Sequence, residues 1–419
     1  MAGRYDIVII GGNLVGAAFA CMLQQRAAAC RIAVVDTQDP SAVIDSTQAA
    51  LSTLHASAPQ WIGSYDPRVF AVNLGSERIF AELGLWDAIS AMRVSAFKRM
   101  HVWDQQSSAR ITFDAAEIYQ PKLGSIVEQR VMLSALYDRL AGNSPANQAS
   151  VDFFSSSRVR SLEKTVQGTR ITLEDGIELD AALLVGADGT DSVVRDYAGI
   201  DTFGWSYHQT AIVATLATER SHESTAWQRF LPSGPLAFLP LQHNLSSIVW
   251  SVDTPDAERL LQLDDERFVQ ELEQAFESRL GGITAIGQRY AFPLRLLHAK
   301  HYCRPGVVLL GNSAHTIHPL AGQGVNLGMQ DAAVLTQTLL KYDFPRTDRV
   351  FRALREYERC RKGENLLMLG AMDLFKRGFG SGLFAVKLAR SMGMQLVGRC
   401  AVAKKAAMRR ALGAAATFY

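Results

Sequence analysis

Cysteine is scarce and unpatterned. The five are Cys21, Cys30, Cys303, Cys360 and Cys400, scattered along the chain with no CxxC pair. That excludes a disulfide framework and a cysteine zinc site, and it fits a reducing compartment. Net charge is small as well: +2, from 43 Lys and Arg against 41 Asp and Glu, so no global field attracts nucleic acid. No stretch approaches the roughly 20 apolar residues that span a bilayer. The opening MAGRYDIVIIGG sets Asp6 before a short apolar run and shows no signal-peptide pattern. The expectation is a cytoplasmic protein, free or peripheral on the inner face of a membrane. Acid is missing locally too: none follows Asp373, while Lys376, Arg377, Lys387, Arg390, Arg399, Lys404, Lys405, Arg409 and Arg410 do.

What is present is an ordinary globular composition, 48% hydrophobic, over 419 residues. That length predicts two domains and an appendage. YDIVIIGG reads as a strand buried on both faces, NLVGAAFACMLQQRAAA as a helix, and RIAVVD as a second buried strand. Together they make a βαβ unit. The segment from about Pro40 to Pro67 is rich in Ser, Ala and Thr and is read as loop. Helices are predicted at Ser76–Ser90 and Glu128–Gly142, with a hairpin between them over RMHVWDQQSSARITFDAAEI. Strands are predicted near Val159–Leu162 and Thr169–Leu173, and LDAALLVGADG is another buried strand. From about Tyr207 to Pro293 the texture is antiparallel, with one amphipathic helix, DDERFVQELEQAFESRLG. The buried-strand texture returns at Val307, so the second domain is inserted into the first. Everything beyond Phe344 reads helical.

Three strand ends carry glycine-rich turns. GGNLVG (Gly11–Gly16) approximates GxGxxG, with Asn13 in the middle position and Asp36 20 residues beyond Gly16. The outer glycines permit the turn and close helix packing, and the acid suits a ribose. Asn tolerates positive φ, but its side chain crowds a phosphate approach. The alternative is an ordinary glycine turn. GADGTDSVVRD (Gly186–Asp196) offers a tight Asp188–Gly189 turn before a helix capped at Ser192. It presents backbone N–H groups to a phosphate, or is simply a capped helix. VVLLGNSAHTIHPLAGQGVNLGMQDA (Val307–Ala332) runs from strand through glycines into a helix. A helix N-terminus there brings about half a positive charge, and Gly322 and Gly324 leave room for a planar ligand. His315 and His318 form HxxH without a third ligand at metal spacing, so a metal is not expected.

Taken in order, these motifs resemble those of the FAD-dependent aromatic hydroxylases, the single-component flavoprotein monooxygenases. The pattern is a GxGxxG turn, GADG…S…R, and GD(A/S)AH…P…GQGxNxG. The chain is most similar to the ubiquinone-biosynthesis hydroxylase branch. The resemblance extends through Asp66–Ile89, Leu123–Leu140, Gln228–Leu241 and Arg361–Gly380, nearly the whole chain.

The resemblance implies an α/β fold: a discontinuous Rossmann-like FAD-binding domain (1–76, 100–206, 294–344), an inserted mixed or antiparallel substrate domain (77–99, 207–293) and a helical region (345–419). Gly11, Gly12, Asn13 and Gly16 would hold the FAD pyrophosphate and Asp36 the adenosine ribose. Arg68 and Arg130 would line the cleft, and Asp188 and Gly189 would lie between FAD and a transient NAD(P)H. Gly311 and Asn312 would meet the ribityl chain. Pro319, Gly322, Gln323 and Gly324 would face the flavin ring as the catalytic stretch, with Val325 and Asn326 opening the helix behind it. Asn312 stands where the family carries Asp, which loses charge assistance and implies weaker flavin retention.

The implied reaction hydroxylates the ring of a polyprenylated phenol with NAD(P)H and O2 through a flavin C4a-hydroperoxide. The cofactor carries the hard chemistry, so no general base is named. Trp227, Phe230, Phe238 and Trp250 are candidates for the substrate wall, or are plain core. The basic C-terminus either lies on anionic lipid or packs on the first domain with a solvated basic face. Members of a biosynthetic complex, or further copies of this chain, are the protein partners considered. The competing activities are an isoprenoid reductase, a flavin halogenase (whose WxWxIP signature is missing) and a non-catalytic flavoprotein subunit.

Overall fold

The computed structural model describes residues 3–27, 30–52, 58–107, 110–142, 149–317, 324–346, 348–380 and 400–413. In chain order the first unit is β1 (Gly3–Ile10), α1 (Leu14–Arg26) and β2 (Arg31–Val35). Next come α2 (Pro40–Ser52), α3 (Ala58–Ser64), β3 (Val69–Asn73), α4 (Leu74–Glu82), α5 (Trp86–Met92) and β4 (Val94–Phe97). β5 (Arg99–Asp104), β6 (Arg110–Asp114), β7 (Gly124–Glu128) and α6 (Gln129–Ala141) follow. Then the chain makes β8 (Ser150–Phe154), β9 (Val159–Thr165), β10 (Gly168–Leu173), β11 (Glu178–Gly186) and α7 (Val193–Tyr197). The inserted part holds β12 (Thr202–Thr218), β13 (Thr225–Leu231), β14 (Gly234–Pro240), β15 (Leu245–Asp253), α8 (Thr254–Gln262), α9 (Asp265–Phe276), β16 (Ile283–Ile286) and β17 (Tyr290–Ala299). Last are β18 (Cys303–Arg304), β19 (Val307–Leu309), β20 (His315–Thr316), α10 (Gly324–Lys341), α11 (Val350–Gly380) and α12 (Ala401–Ala411).

Among the described residues the strands form three sheets. The first runs β18-β19-β11-β1-β2-β8, with β10 beside β11 and β9 beside β10. Its centre is parallel: Ile10 pairs with Gly186 and with Val35, and Gly186 pairs with Leu309. The ends of β1, β11 and β19, which carry the three glycine turns, therefore lie side by side. Ile7, Val8, Ile9, Leu183, Leu184 and Val308 are fully buried, as expected of strands covered on both faces.

The second sheet runs β20-β17-β12-β15-β14-β13-β5-β6, with β16 beside β12. β12 belongs to it throughout. Its irregularity between Ser206 and Gln209 falls where the sequence suggests a domain boundary at Tyr207. Two other boundaries differ from expectation. Residues 77–99 are expected in the substrate domain, yet Ile79, Phe80 and Ile89 of α4 and α5 are buried in the first core. The hairpin β5–β6, expected in the first domain, pairs with β13 in the second sheet. The stretch read as loop contains α2 and α3. Thr47 of α2 is buried and donates to Val43 O at 2.7 Å, so its hydroxyl is satisfied within the helix.

Candidate functional site

The three turns close around one cleft. Gly11 has φ +100°, and a Cβ there would stand 2.3 Å from Ala187 O. A Cβ on Gly16 would stand 1.9 Å from Gly11 O. Both positions are glycine for steric reasons. Gly12 donates its N–H to Asp36 Oδ2 at 2.5 Å, and Gln38 N–H donates to Oδ1 at 2.7 Å. Asp36 is thereby fixed at the end of β2.

Asn13 differs from its expected behaviour. Its φ is −66°, so the turn asks nothing unusual of it. Its Oδ1 accepts the Leu14 N–H at 2.7 Å and a longer contact from Gln129 Nε2 at 3.4 Å. The side chain therefore caps α1, using an N–H that a phosphate would otherwise take. The first turn of α1 carries no acid, nor does that of α10. Neither first turn therefore sets a negative charge of its own against the positive helix end.

The second and third turns are bonded to each other. Ser313 Oγ donates to Asp188 Oδ1 at 2.9 Å and accepts from Gly189 N at 3.0 Å. Val194 N donates to Asp188 Oδ2 at 3.2 Å, and Ser192 Oγ caps α7 by accepting from Arg195 N at 3.0 Å. The Gly189 N–H, expected to meet a phosphate, thus already has a partner.

Behind this junction lies Asp331, an acid within the helical run GMQDAAVL that no motif singles out. It is fully buried and accepts from His315 Nε2 at 2.5 Å, Arg361 Nε at 2.7 Å, Asn365 Nδ2 at 3.2 Å and Gly311 N at 3.3 Å. Burial works to raise its pKa; the charges of His315 and Arg361 outweigh that and hold it at about 2. Tyr302 Oη bridges Asn365 and His298 Nε2. Burial, with His315 next in effect, pushes the pKa of His298 down to about 4. An unpaired acid inside an apolar helix was the available signal. His315 Nε2 is held by Asp331. Among the described residues no three metal-binding side chains cluster; His318 lies outside them.

The cleft measures about 1090 Å3. Gly11, Asn13, Asp36, Arg68, Asp188, Gly189, Asn312, Gly324 and Val325 all line it. The Arg68 guanidinium lies 5.2 Å from the centre of the Phe292 ring. Five other predicted residues contribute indirectly. Gly12 and Gly16 shape the β1–α1 turn. A Cβ on Gly311, whose φ is +54°, would press on Val15 at 3.2 Å. Asn326 is fully buried: its Oδ1 accepts from Asn73 N at 3.0 Å and Ser76 Oγ at 2.8 Å, and its Nδ2 donates to Ala71 O. It joins α10 to β3 and α4 instead of facing the cleft. Arg130 turns away to Glu128 Oε2 at 2.7 Å and to the Ser64 carbonyl. Glu128 also pairs with buried Arg93 at 2.7 Å. Pro319, Gly322 and Gln323 lie outside the described residues.

The far wall is the second sheet. Ala211, Val213, Ala237, Leu239, Val249 and Ser251 face the cleft. Trp227, Phe238 and Trp250, named as wall candidates, sit at the alternate positions and pack toward α8 and α9. Phe230 packs with Val102 and Ile111. The last wall, Ala407, Met408, Ala411 and Leu412, comes from α12. Its signal was two pairs spaced i, i+4 in AVAKKAAMRRALG.

A polar cradle with two helix ends whose first turns hold no acid, and a glycine turn at each strand end, fits a dinucleotide with a planar head. Residues 63–361 match the family model described as FAD binding domain. The chain belongs to this family. As a member of the FAD binding domain family it is similar over nearly its full length to two curated relatives. It is 34% identical to 3-demethoxyubiquinol 3-hydroxylase of Escherichia coli, covering 97% of this chain and 98% of the relative. It is 36% identical to ubiquinone hydroxylase UbiL of Rhodospirillum rubrum, covering 97% and 89%. The structure of PqsL, a probable FAD-dependent monooxygenase from Pseudomonas aeruginosa, superposes with a TM-score of 0.73 at 19% identity. That match covers 94% of this chain and 99% of PqsL, and it shows that the fold is shared.

Proposed function

We propose that the chain hydroxylates the aromatic ring of a prenylated phenol in ubiquinone biosynthesis, with FAD, NAD(P)H and O2. One observation carries the reading: the polar cofactor cradle and a wall of small apolar residues belong to a single continuous cleft. The names of the two full-length relatives point the same way. Bound there, FAD would accept reducing equivalents from NAD(P)H and activate O2 for transfer of one oxygen to the ring.

The chain's own part is to bind, orient and exclude water. Gly11 would bring backbone to the pyrophosphate, in a turn that Gly16 allows to close. Asp36 receives ribose hydroxyls, and Asn312 meets the ribityl chain. Arg68 lines the passage between the domains. Gly324 and Val325 would set the positive end of α10 against the flavin ring and favour negative charge there. Ala211, Val213, Ala237 and Val249 leave space for a flat substrate.

Complementation tests the reading. Expression in a strain lacking its ubiquinone ring hydroxylase should restore the quinone and clear one under-hydroxylated precursor by mass spectrometry. Persistence of every precursor would count against it.

A peripheral membrane position belongs to the same proposal. Lys405, Arg409 and Arg410 lie on α12 beside Val402, which is 79% exposed. Among the described residues no helix is long and apolar enough to cross a membrane. Triple charge reversal, K405E/R409E/R410E, should abolish pelleting with anionic vesicles; unchanged pelleting would refute the contact.

A further inference from the structure

α12 is held firmly, and at both ends. Asn73 Nδ2 donates to Ala411 O at 3.1 Å, and Gly75 N donates to Leu412 O at 3.0 Å. At the other end Lys404 Nζ pairs with Glu117 Oε1 at 2.6 Å. The Leu412 end thus sits at the β3–α4 junction. Asn326 fastens the same junction to the first turn of α10. The Lys404 end lies 5.9 Å from the Phe113 ring. Between these ends α12 turns Ala407, Met408, Ala411 and Leu412 into the cleft. Phe113 and Leu239 line the same stretch and belong to one apolar cluster with Met408 and Leu412. From residue 412 to 404 the helix advances about 12 Å. At the outer end Tyr119 is 88% exposed, with Lys405 Nζ 5.9 Å from its ring.

The geometry points to an isoprenoid-tail site roofed by α12. It is an apolar gallery that leaves the cofactor cleft beside the start of α10 and opens near Tyr119 and Lys405. The inference rests on the prenylated-phenol reading and adds where the tail lies and what selects its length. Three features favour a hydrocarbon chain. The gallery is continuous with the cofactor cradle. The α12 residues that line it, Ala407, Met408, Ala411 and Leu412, carry no charge, and Lys404 on the same face is paired with Glu117. Ala407 and Ala411, one turn apart, leave a shallow channel where larger residues would fill it. The basic outer face of α12 would keep the exit beside anionic lipid, where such tails reside.

The test uses the FAD-loaded full chain and a series of phenols carrying zero, one, two and three isoprene units. Affinity is read from perturbation of the flavin spectrum, and product by mass spectrometry. Each of the first two units should tighten Kd by about tenfold, with little gain from the third as the tail leaves the gallery. Ala407→Trp should erase that gain and leave the unprenylated phenol within about twofold. Ala407→Leu, a milder change that keeps the test open if the Trp variant does not fold, should lose part of it. Affinity independent of tail length, or equal losses for short and long phenols in both variants, would overturn the tail site. If affinity follows tail length but no oxygenated product forms, the tail site stands and the hydroxylase reading falls. If product forms without tail dependence, the hydroxylase reading stands and the tail site falls.

Discussion

Single residues decide whether the cofactor cradle can exist. Gly16 has no room for a methyl group, so Gly16→Ala should purify with little or no flavin absorbance. Asn13→Gly should act in the opposite direction. It frees the Leu14 N–H at a capping cost of only a few tenths of a kcal/mol, so FAD affinity by titration should rise several-fold. Gly16 was legible in the sequence because its constraint is local; Asn13 was legible as a departure from glycine but not as the cap of α1. Asn326 was not: its partner Asn73 lies 253 residues away, and a motif cannot say whether an amide faces a ligand or a neighbouring strand. The same distance in sequence hid the Asp331 network. Asp331→Asn leaves His315 without its carboxylate and Arg361 with only the half-exposed Glu364, and should destabilise the fold by about 3 kcal/mol in denaturant titration.

That network also sets an acid limit. His298 has its folded pKa depressed to about 4, below its usual 6.5. Its neutral form therefore stabilises the fold fully above pH 6.5, and that contribution is lost as pH falls toward 4. The depressed Asp331 carboxyl extends the loss from 3.8 down to about 2. The thermal midpoint should drop across the first window, and His298→Asn should flatten that drop. An unchanged profile would show that His298 does not set the limit.

At the scale of elements, close approach of α1 and α10 brings the first and third glycine turns together. Gly328 is the tight point, since a Cβ there would stand 2.5 Å from Val15 Cγ2. Gly328→Ala should cost about 1–3 kcal/mol of stability and weaken flavin binding together, measured by denaturant unfolding and FAD titration. Buried parallel strands were readable because they are unbroken apolar runs. The loop reading of Pro40–Pro67 failed because α2 is a helix of small and hydroxylated residues that gains its stability by packing on α6, a tertiary effect. Of the two readings of the sheet aromatics, wall or plain core, the core holds for a geometric reason. Trp227, Phe238 and Trp250 are inward-facing in a sheet with two covered sides, and composition cannot tell one side from the other.

At the scale of the whole molecule, the discontinuous first domain and the inserted sheet were legible from the return of buried-strand texture at Val307. The seam was not. The β5–β6 hairpin and α4–α5 exchange places relative to the reading, because which sheet a hairpin joins depends on β13, more than 100 residues later. The closing of the cleft by α12 was likewise invisible, since its contacts at Asn73 and Glu117 come from the other end of the chain.

Oxygen transfer to an aromatic ring within that cleft is the step on which the proposed function stands. Its most direct test supplies the FAD-loaded protein with NAD(P)H, a prenylated phenol and isotopically heavy dioxygen, and weighs the product. The expected product is a ring carrying one heavy oxygen atom per NAD(P)H consumed under coupled turnover. A product without heavy oxygen, whether a reduced double bond or unchanged phenol beside peroxide, would contradict it.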